Sequence, residues 1–166
     1  MTAYPFDWLR ANVHGFDALS REEWDAILHF SLLWSLFEAR VLSSRGSANA
    51  IVKATKDWKA QGKLNDQFFA DDLAYFRHRY LANGTFTDHF EHLFFRKNVC
   101  SELVRAVLKN ESTEMAEIVA ALLIIIYRFR NNLFHGMKWE YGIQGQRDNF
   151  FRANAVLMKV LEIDGE

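Results

Sequence analysis

Val119-Ala120-Ala121-Leu122-Leu123-Ile124-Ile125-Ile126-Tyr127 is the longest apolar run in the chain, and Arg128-Phe129-Arg130-Asn131-Asn132-Leu133-Phe134-His135-Gly136 continues it. Ser112 stands before the run as a candidate cap, so one long helix is predicted from Thr113 to Phe134 or His135. The apolar run is nine residues long. A bilayer needs about 20, so the run is too short to span one. A helix this apolar needs cover on most sides, from the centre of a bundle or from a subunit contact.

Working outward, the flanking segments are also helical in pattern. Ser20-Arg21-Glu22-Glu23 has the form of a capping box, with Leu19 and Trp24 placed as a hydrophobic staple. The helix it starts is predicted to run to about Leu42 and to stop before Ser43-Ser44-Arg45-Gly46. Further helices are predicted over Ala48–Lys59, Asp66–Leu81, Asp88–Arg96, Val99–Lys109 and Arg147–Leu161. Asn83-Gly84 reads as a stop signal, and Thr87 and Asn98 read as caps. Alternation at period two is nowhere sustained, so no strand is expected. The chain therefore reads as an all-α, single-domain helical bundle of about six or seven helices. The domain covers residues 1–166, with residues 1–17 an irregular N-terminal arm.

Composition agrees. Half of the 166 residues are apolar, 15% are aromatic, and Pro5 is the only proline, which excludes a disordered chain. The net charge of −1 excludes a uniformly basic nucleic-acid binder, so RNA contact would need a local patch. Cys100 is the only cysteine, so no internal disulfide can form, and a buried thiol is expected. Met1 to Asp17 shows no basic segment followed by an apolar one, so no signal peptide is expected. A cytoplasmic protein without a membrane span is the expectation.

The end of the long helix carries the chemistry. Arg128, Asn132 and His135 lie at i, i+4 and i+7 and share one stripe, with Asn131 beside it. Arg130 lies about 140° from His135 on ideal geometry. Helical spacing thus favours Arg128 as the neighbour of His135. Gly136 is placed to end the helix, which would free His135 from that spacing. RNA carries its own nucleophile, the 2′-OH, so cleavage needs proton transfer and charge stabilisation. A histidine supplies the first and an arginine the second.

Arg130-Asn131…His135 resembles the Arg-Asn-x-x-x-His motif of HEPN domains. The specific likeness covers about ten residues, and the rest is likeness of architecture only. The resemblance implies a helical bundle that pairs as a homodimer, with the motifs facing across one cleft. It implies metal-independent endoribonuclease activity that leaves a 2′,3′-cyclic phosphate and a 5′-OH. It assigns Arg130, Asn131 and His135 to catalysis, in preference to Arg128. Arg128, Asn132 and Lys138 are then expected as RNA contacts. No metal and no cofactor are expected. Small members are often toxins or phage-defence effectors acting on tRNA or mRNA, and many have a nucleotidyltransferase-like antitoxin. In that group a tyrosine commonly follows the histidine by two residues, whereas here Met137 does. Control by tyrosine modification is therefore in doubt. The alternative is a catalytically inactive helical module that binds a protein or nucleotide partner.

Other residues read more plainly. His89 and His92 are spaced to share a helix face, without a second ligand cluster, and read as a solvated surface. Asp71-Asp72 reads as solvent-facing charge. Arg77-His78-Arg79 and Arg96-Lys97 read as surface, with an RNA groove as the functional option. Trp139, Tyr141, Phe150 and Phe151 read as core or dimer contact before base-stacking platforms.

Overall fold

A computed structural model describes residues 4–95, 99–135 and 144–165. Among these residues the chain forms eight α-helices and one two-stranded hairpin, so it is predominantly all-α. The helices are α1 (Pro5–Asn12), α2 (Arg21–Arg40), α3 (Ala48–Ala60) and α4 (Ala70–Tyr80), followed by α5 (Asp88–Glu91), α6 (Val99–Leu108), α7 (Met115–Phe134) and α8 (Arg147–Gly165). The described part of the bundle has no helix long and apolar enough to cross a membrane.

The long apolar helix is the axis of the fold. Thirteen of the residues of α7 are buried, including the unbroken run Ile118–Ile126. Each buried Leu or Ile contributes roughly 1.5–3 kcal/mol relative to an exposed one, so this run dominates the core. Helices α3 and α6 pack along α7, while α2 and α8 form the other principal pair. Phe129 of α7 meets Phe76 of α4 and Phe150 of α8, which ties the two halves into one core.

Helix α2 starts as its sequence predicts. Ser20 accepts from the Glu23 backbone N–H at 3.2 Å, and the Glu23 carboxylate accepts from the Ser20 N–H at 2.9 Å. Trp24 packs on Phe16 and on Phe6 of α1, at ring centroid distances of 3.9 and 4.6 Å. That contact, with Pro5 opening the helix, corrects the expectation of an irregular arm for residues 5–12, while residues 13–17 are bends and turns. Residues 5–12 are helical and docked.

The structure differs from the sequence reading at several places: α5 stops at Glu91 and not at Arg96, and the others have local reasons. Asn83-Gly84 does not merely stop a helix. Both residues have positive φ, 52° and 76°, and they turn a hairpin between β1 (Leu81–Ala82) and β2 (Thr85–Phe86). Strands of two residues carry no readable alternation. The expected Asp66–Leu81 helix is split, because Asn65 accepts from the Gln67 N–H and opens a 3-10 turn over Asp66–Phe69 before α4. Thr87 is the N-cap residue of α5 as expected, its carbonyl accepting from the Phe90 N–H at 2.9 Å, but its hydroxyl makes no cap bond and donates back to the Arg79 carbonyl at 2.9 Å. Ser112 does not cap α7. Its N–H bonds to the Ala106 carbonyl in closing α6, and Glu114 takes the cap by accepting from the Glu117 N–H at 3.0 Å. Asn98 and Gly136 lie outside the described residues.

Asp72 is also corrected. It is 1% exposed and pairs with Lys159 at 2.6 Å and Arg152 at 3.7 Å, pinning α4 to α8.

Candidate active site

The last turns of α7, still buried at Phe129, Asn132 and Leu133, run between two neighbours. One is α2 with the loop after it, and the other is the turn after α5. Arg128 and Arg130 are two residues apart, so about 200° of helical rotation sends them to opposite sides. The regular helix persists to Phe134, so this geometry holds for Arg128, Arg130, Asn131 and Asn132.

Arg128 faces the turn after α5. Its Nε donates to the Leu93 carbonyl at 2.8 Å and its Nη2 to the Phe94 carbonyl at 2.9 Å. Asn132, 3% exposed, donates from Nδ2 to the His92 carbonyl at 3.1 Å. Together they satisfy three successive carbonyls of a turn whose Phe94 has a left-handed φ of 52°. Buried or half-buried carbonyls need such partners, and a charged donor is the stronger kind. Both residues, expected as RNA contacts, therefore hold the fold at this point.

Arg130 faces α2. Its Nη1 donates to Asn131 Oδ1 at 3.1 Å, and its Nη2 lies 3.7 Å from Glu38 Oε2. The guanidinium carbon stands 5.6 Å from the centre of the Phe134 ring. Among the described residues its Nε has no hydrogen-bond partner although it is buried. An adjoining cleft of about 330 Å³ is lined by Ser31, Trp34, Ser35, Glu38, Ala39, Ser44, Arg130 and Phe134. The cleft thus offers one cation, one carboxylate, three hydroxyls and two aromatic rings.

His135 ends α7 as its C-cap residue, with φ −94° and ψ 14°, and its N–H bonds to the Asn131 and Leu133 carbonyls. Its side chain is exposed, and no hydrogen bond or ion pair joins it to Arg130 or Asn131 among the described residues. The structure thus brings Arg130 and Asn131 together and leaves His135 a turn further along, facing solvent. Lys138 lies outside the described residues, as do Met137, Trp139, Tyr141 and Arg96-Lys97.

The other candidates separate in the same way. Phe150 is core, packed on Phe30 and Phe129, while Phe151 is 58% exposed. Arg77 donates to the Val107 carbonyl at 2.8 Å and to Asn110 at 3.0 Å, joining α4 to the end of α6. Cys100 is half-buried beside Asn49, and burial pushes its thiol up. Burial also raises the hydroxyls of Tyr75 and Tyr80 above the usual tyrosine range. Among the described residues no three His, Cys, Asp or Glu side chains gather as a metal-ligand set.

Sequence reasoning missed Glu38, Trp34 and Gly46. The Trp34 Nε1 donates to Glu38 Oε2 at 2.7 Å, and the Gly46 N–H donates to Glu38 Oε1 at 3.2 Å. The available signal was the i, i+4 spacing of Trp34 and Glu38, followed by a glycine in the break after α2. Comparison with known proteins adds no assignment: no family model, curated protein or solved structure matches this chain.

Proposed function

We propose that this protein is a metal-independent endoribonuclease acting as a toxin or phage-defence effector in the cytoplasm. The observation that carries the reading is Arg130. It is bonded to the next residue, Asn131, and stands at an open cleft with a cationic group that, among the described residues, is not bound to any backbone carbonyl. Arg130 would hold the scissile phosphate and stabilise its charge as the 2′-oxygen attacks phosphorus. The P–O5′ bond breaks, the 2′-OH proton passes to a base, and the 5′-oxygen takes a proton from an acid. The products are a 2′,3′-cyclic phosphate and a 5′-OH. His135 would serve in proton transfer, and Asn131 would orient Arg130 or the phosphate.

One chain offers one such histidine, and a homodimer supplies two. The exposed face of α2 supports pairing. Leu28, Leu32 and Leu36 are 51%, 63% and 44% exposed and form one stripe at i, i+4, i+8. Phe134, 57% exposed, stands across the adjoining cleft. Apolar side chains so grouped call for cover. The substrate class would be tRNA or mRNA, and a nucleotidyltransferase-like antitoxin is the implied partner. Arg128 and Asn132 are not needed as RNA contacts in this reading.

The second reading is an inactive module that binds a protein or nucleotide partner. Among the described residues the His135 side chain makes no hydrogen bond or ion pair to Arg130 or Asn131, which favours it. Incubation with total RNA in excess EDTA separates the two. Cleavage to 2′,3′-cyclic ends, lost in His135→Ala, is the expected result. Intact RNA, a strict Mg²⁺ requirement or 3′-OH ends would overturn the ribonuclease.

A further inference from the structure

Glu38 is an unexpected neighbour for a phosphate-binding arginine, because a carboxylate in the same cleft repels the substrate. Its surroundings explain what it is for. The indole N–H of Trp34, one turn earlier on α2, fixes one oxygen. The Gly46 N–H, from the loop after α2, fixes the other. A Cβ on residue 46 would lie 2.4 Å from Glu38 Oε1, so a larger residue there would push the carboxylate aside. The loop is in turn tied to α7, since Tyr127 donates its hydroxyl to the Gly46 carbonyl at 3.2 Å and stacks on Trp34. The carboxylate is thus clamped on two sides, and the Arg130 guanidinium lies 3.7 Å from the oxygen that Trp34 holds.

We propose that Glu38 is the positioning residue of Arg130. Clamped by Trp34 and Gly46, it holds the guanidinium at the mouth of the cleft, with Asn131 steadying the other side. A long arginine side chain otherwise samples many rotamers, and ordering it in advance removes that cost from the reaction. The separation of 3.7 Å is looser than a two-pronged hydrogen-bonded pair, so an incoming phosphate can take over the guanidinium without breaking a tight ion pair. Glu38 acts through Arg130 and not on the substrate.

The activity readout rests on the ribonuclease reading above, and a second readout does not. With a fluorogenic oligoribonucleotide, Glu38→Gln should lower kcat roughly tenfold and leave KM within about twofold, as for a group that acts on transition-state geometry. Gly46→Ala should do the same with every charge intact, because the new methyl displaces the carboxylate. In an Arg130→Ala background, Glu38→Gln should have no further effect. An equal loss in that background, or an unchanged kcat in both single variants, overturns the proposal. If the wild-type chain cuts no RNA, the ribonuclease reading fails, and the Arg130 Nε–H signal in a ¹⁵N–¹H spectrum still decides. Glu38→Gln and Gly46→Ala should shift and broaden that signal. A signal unmoved in both variants overturns the positioning role.

Discussion

The two sides of the last turns of α7 use the same side chain for opposite ends. On one side Arg128, with Asn132 a turn later, is engaged by the carbonyls of residues 92–94. On the other side Arg130 meets, among the described residues, Asn131, a loosely placed carboxylate and the Phe134 ring, beside open space. A guanidinium that satisfies backbone carbonyls is part of the fold. One that is oriented but not saturated is available to a ligand. The difference lies in what the neighbouring element presents, and the sequence of α7 alone does not contain it.

The comparison breaks most visibly if activity follows the wrong arginine. His135→Ala should abolish RNA cleavage, and Arg130→Ala should remove ~2–4 kcal/mol of transition-state stabilisation. Circular dichroism of both should match the wild type, since neither side chain closes a carbonyl. A crippled Arg128→Ala beside an unaffected Arg130→Ala would reverse the assignment of the two faces.

Stability should follow the other arginine. Arg128→Ala leaves the Leu93 and Phe94 carbonyls without their partner and should lower unfolding free energy by about 1.5–3 kcal/mol. Asn132→Ala should cost about 1 kcal/mol. Urea titration measures both. Cleavage by the folded fraction should be unchanged, so a catalytic defect without a shift in midpoint would show that this face also touches RNA.

Leu32→Glu tests whether the cleft is completed by a second chain. The substitution lies on an exposed face, so monomer stability should change by no more than about 0.5 kcal/mol. Light scattering should show a dimer become a monomer, with cleavage lost in parallel. An active wild-type monomer at micromolar concentration would remove the partner from the site while leaving the Arg130 face intact.

How much of this was legible depended on the range of each interaction. The capping box of Ser20 and Glu23 spans three residues and was read in full. The apolar run of α7 announced the central helix, because a buried helix needs no periodicity finer than being apolar throughout. The hairpin at Asn83-Gly84 was hidden by strands too short to alternate. Ser112 looked a better cap than Glu114 by residue type, and lost the position because its N–H was already closing α6. Asp72 looked solvated until α8 brought Lys159 across 87 residues of sequence. The site divides the same way. Arg130, Asn131 and His135 were legible as a motif, whereas Glu38 and the carbonyls facing Arg128 belong to other elements and became visible only when packed.

The smallest expected effect is a pH dependence at the far end of α2, and it serves as a control on the comparison. Burial alone would raise the Glu23 carboxyl. The N–H groups of Ser20 and Gly145, with the Ser20 hydroxyl, outweigh that and hold it below its ordinary value of 4.5. A carboxyl depressed in the folded state binds its proton more readily when unfolded. Its contribution to stability is therefore fully present above the ordinary value and is lost as pH falls through the lower folded value. Glu23→Gln should lose about 0.5–2 kcal/mol near neutrality, through the cap and the tether to Gly145. The gap between variant and wild type should narrow below pH 4.5, where the wild-type carboxyl also gains its proton. Arg128→Ala should show no such narrowing at that pH, because the carbonyls that Arg128 binds do not titrate. A parallel pH dependence of the Arg128→Ala defect would mean that a carboxylate, and not the backbone, is its principal partner, and the contrast between the two arginines would then rest on the wrong atoms.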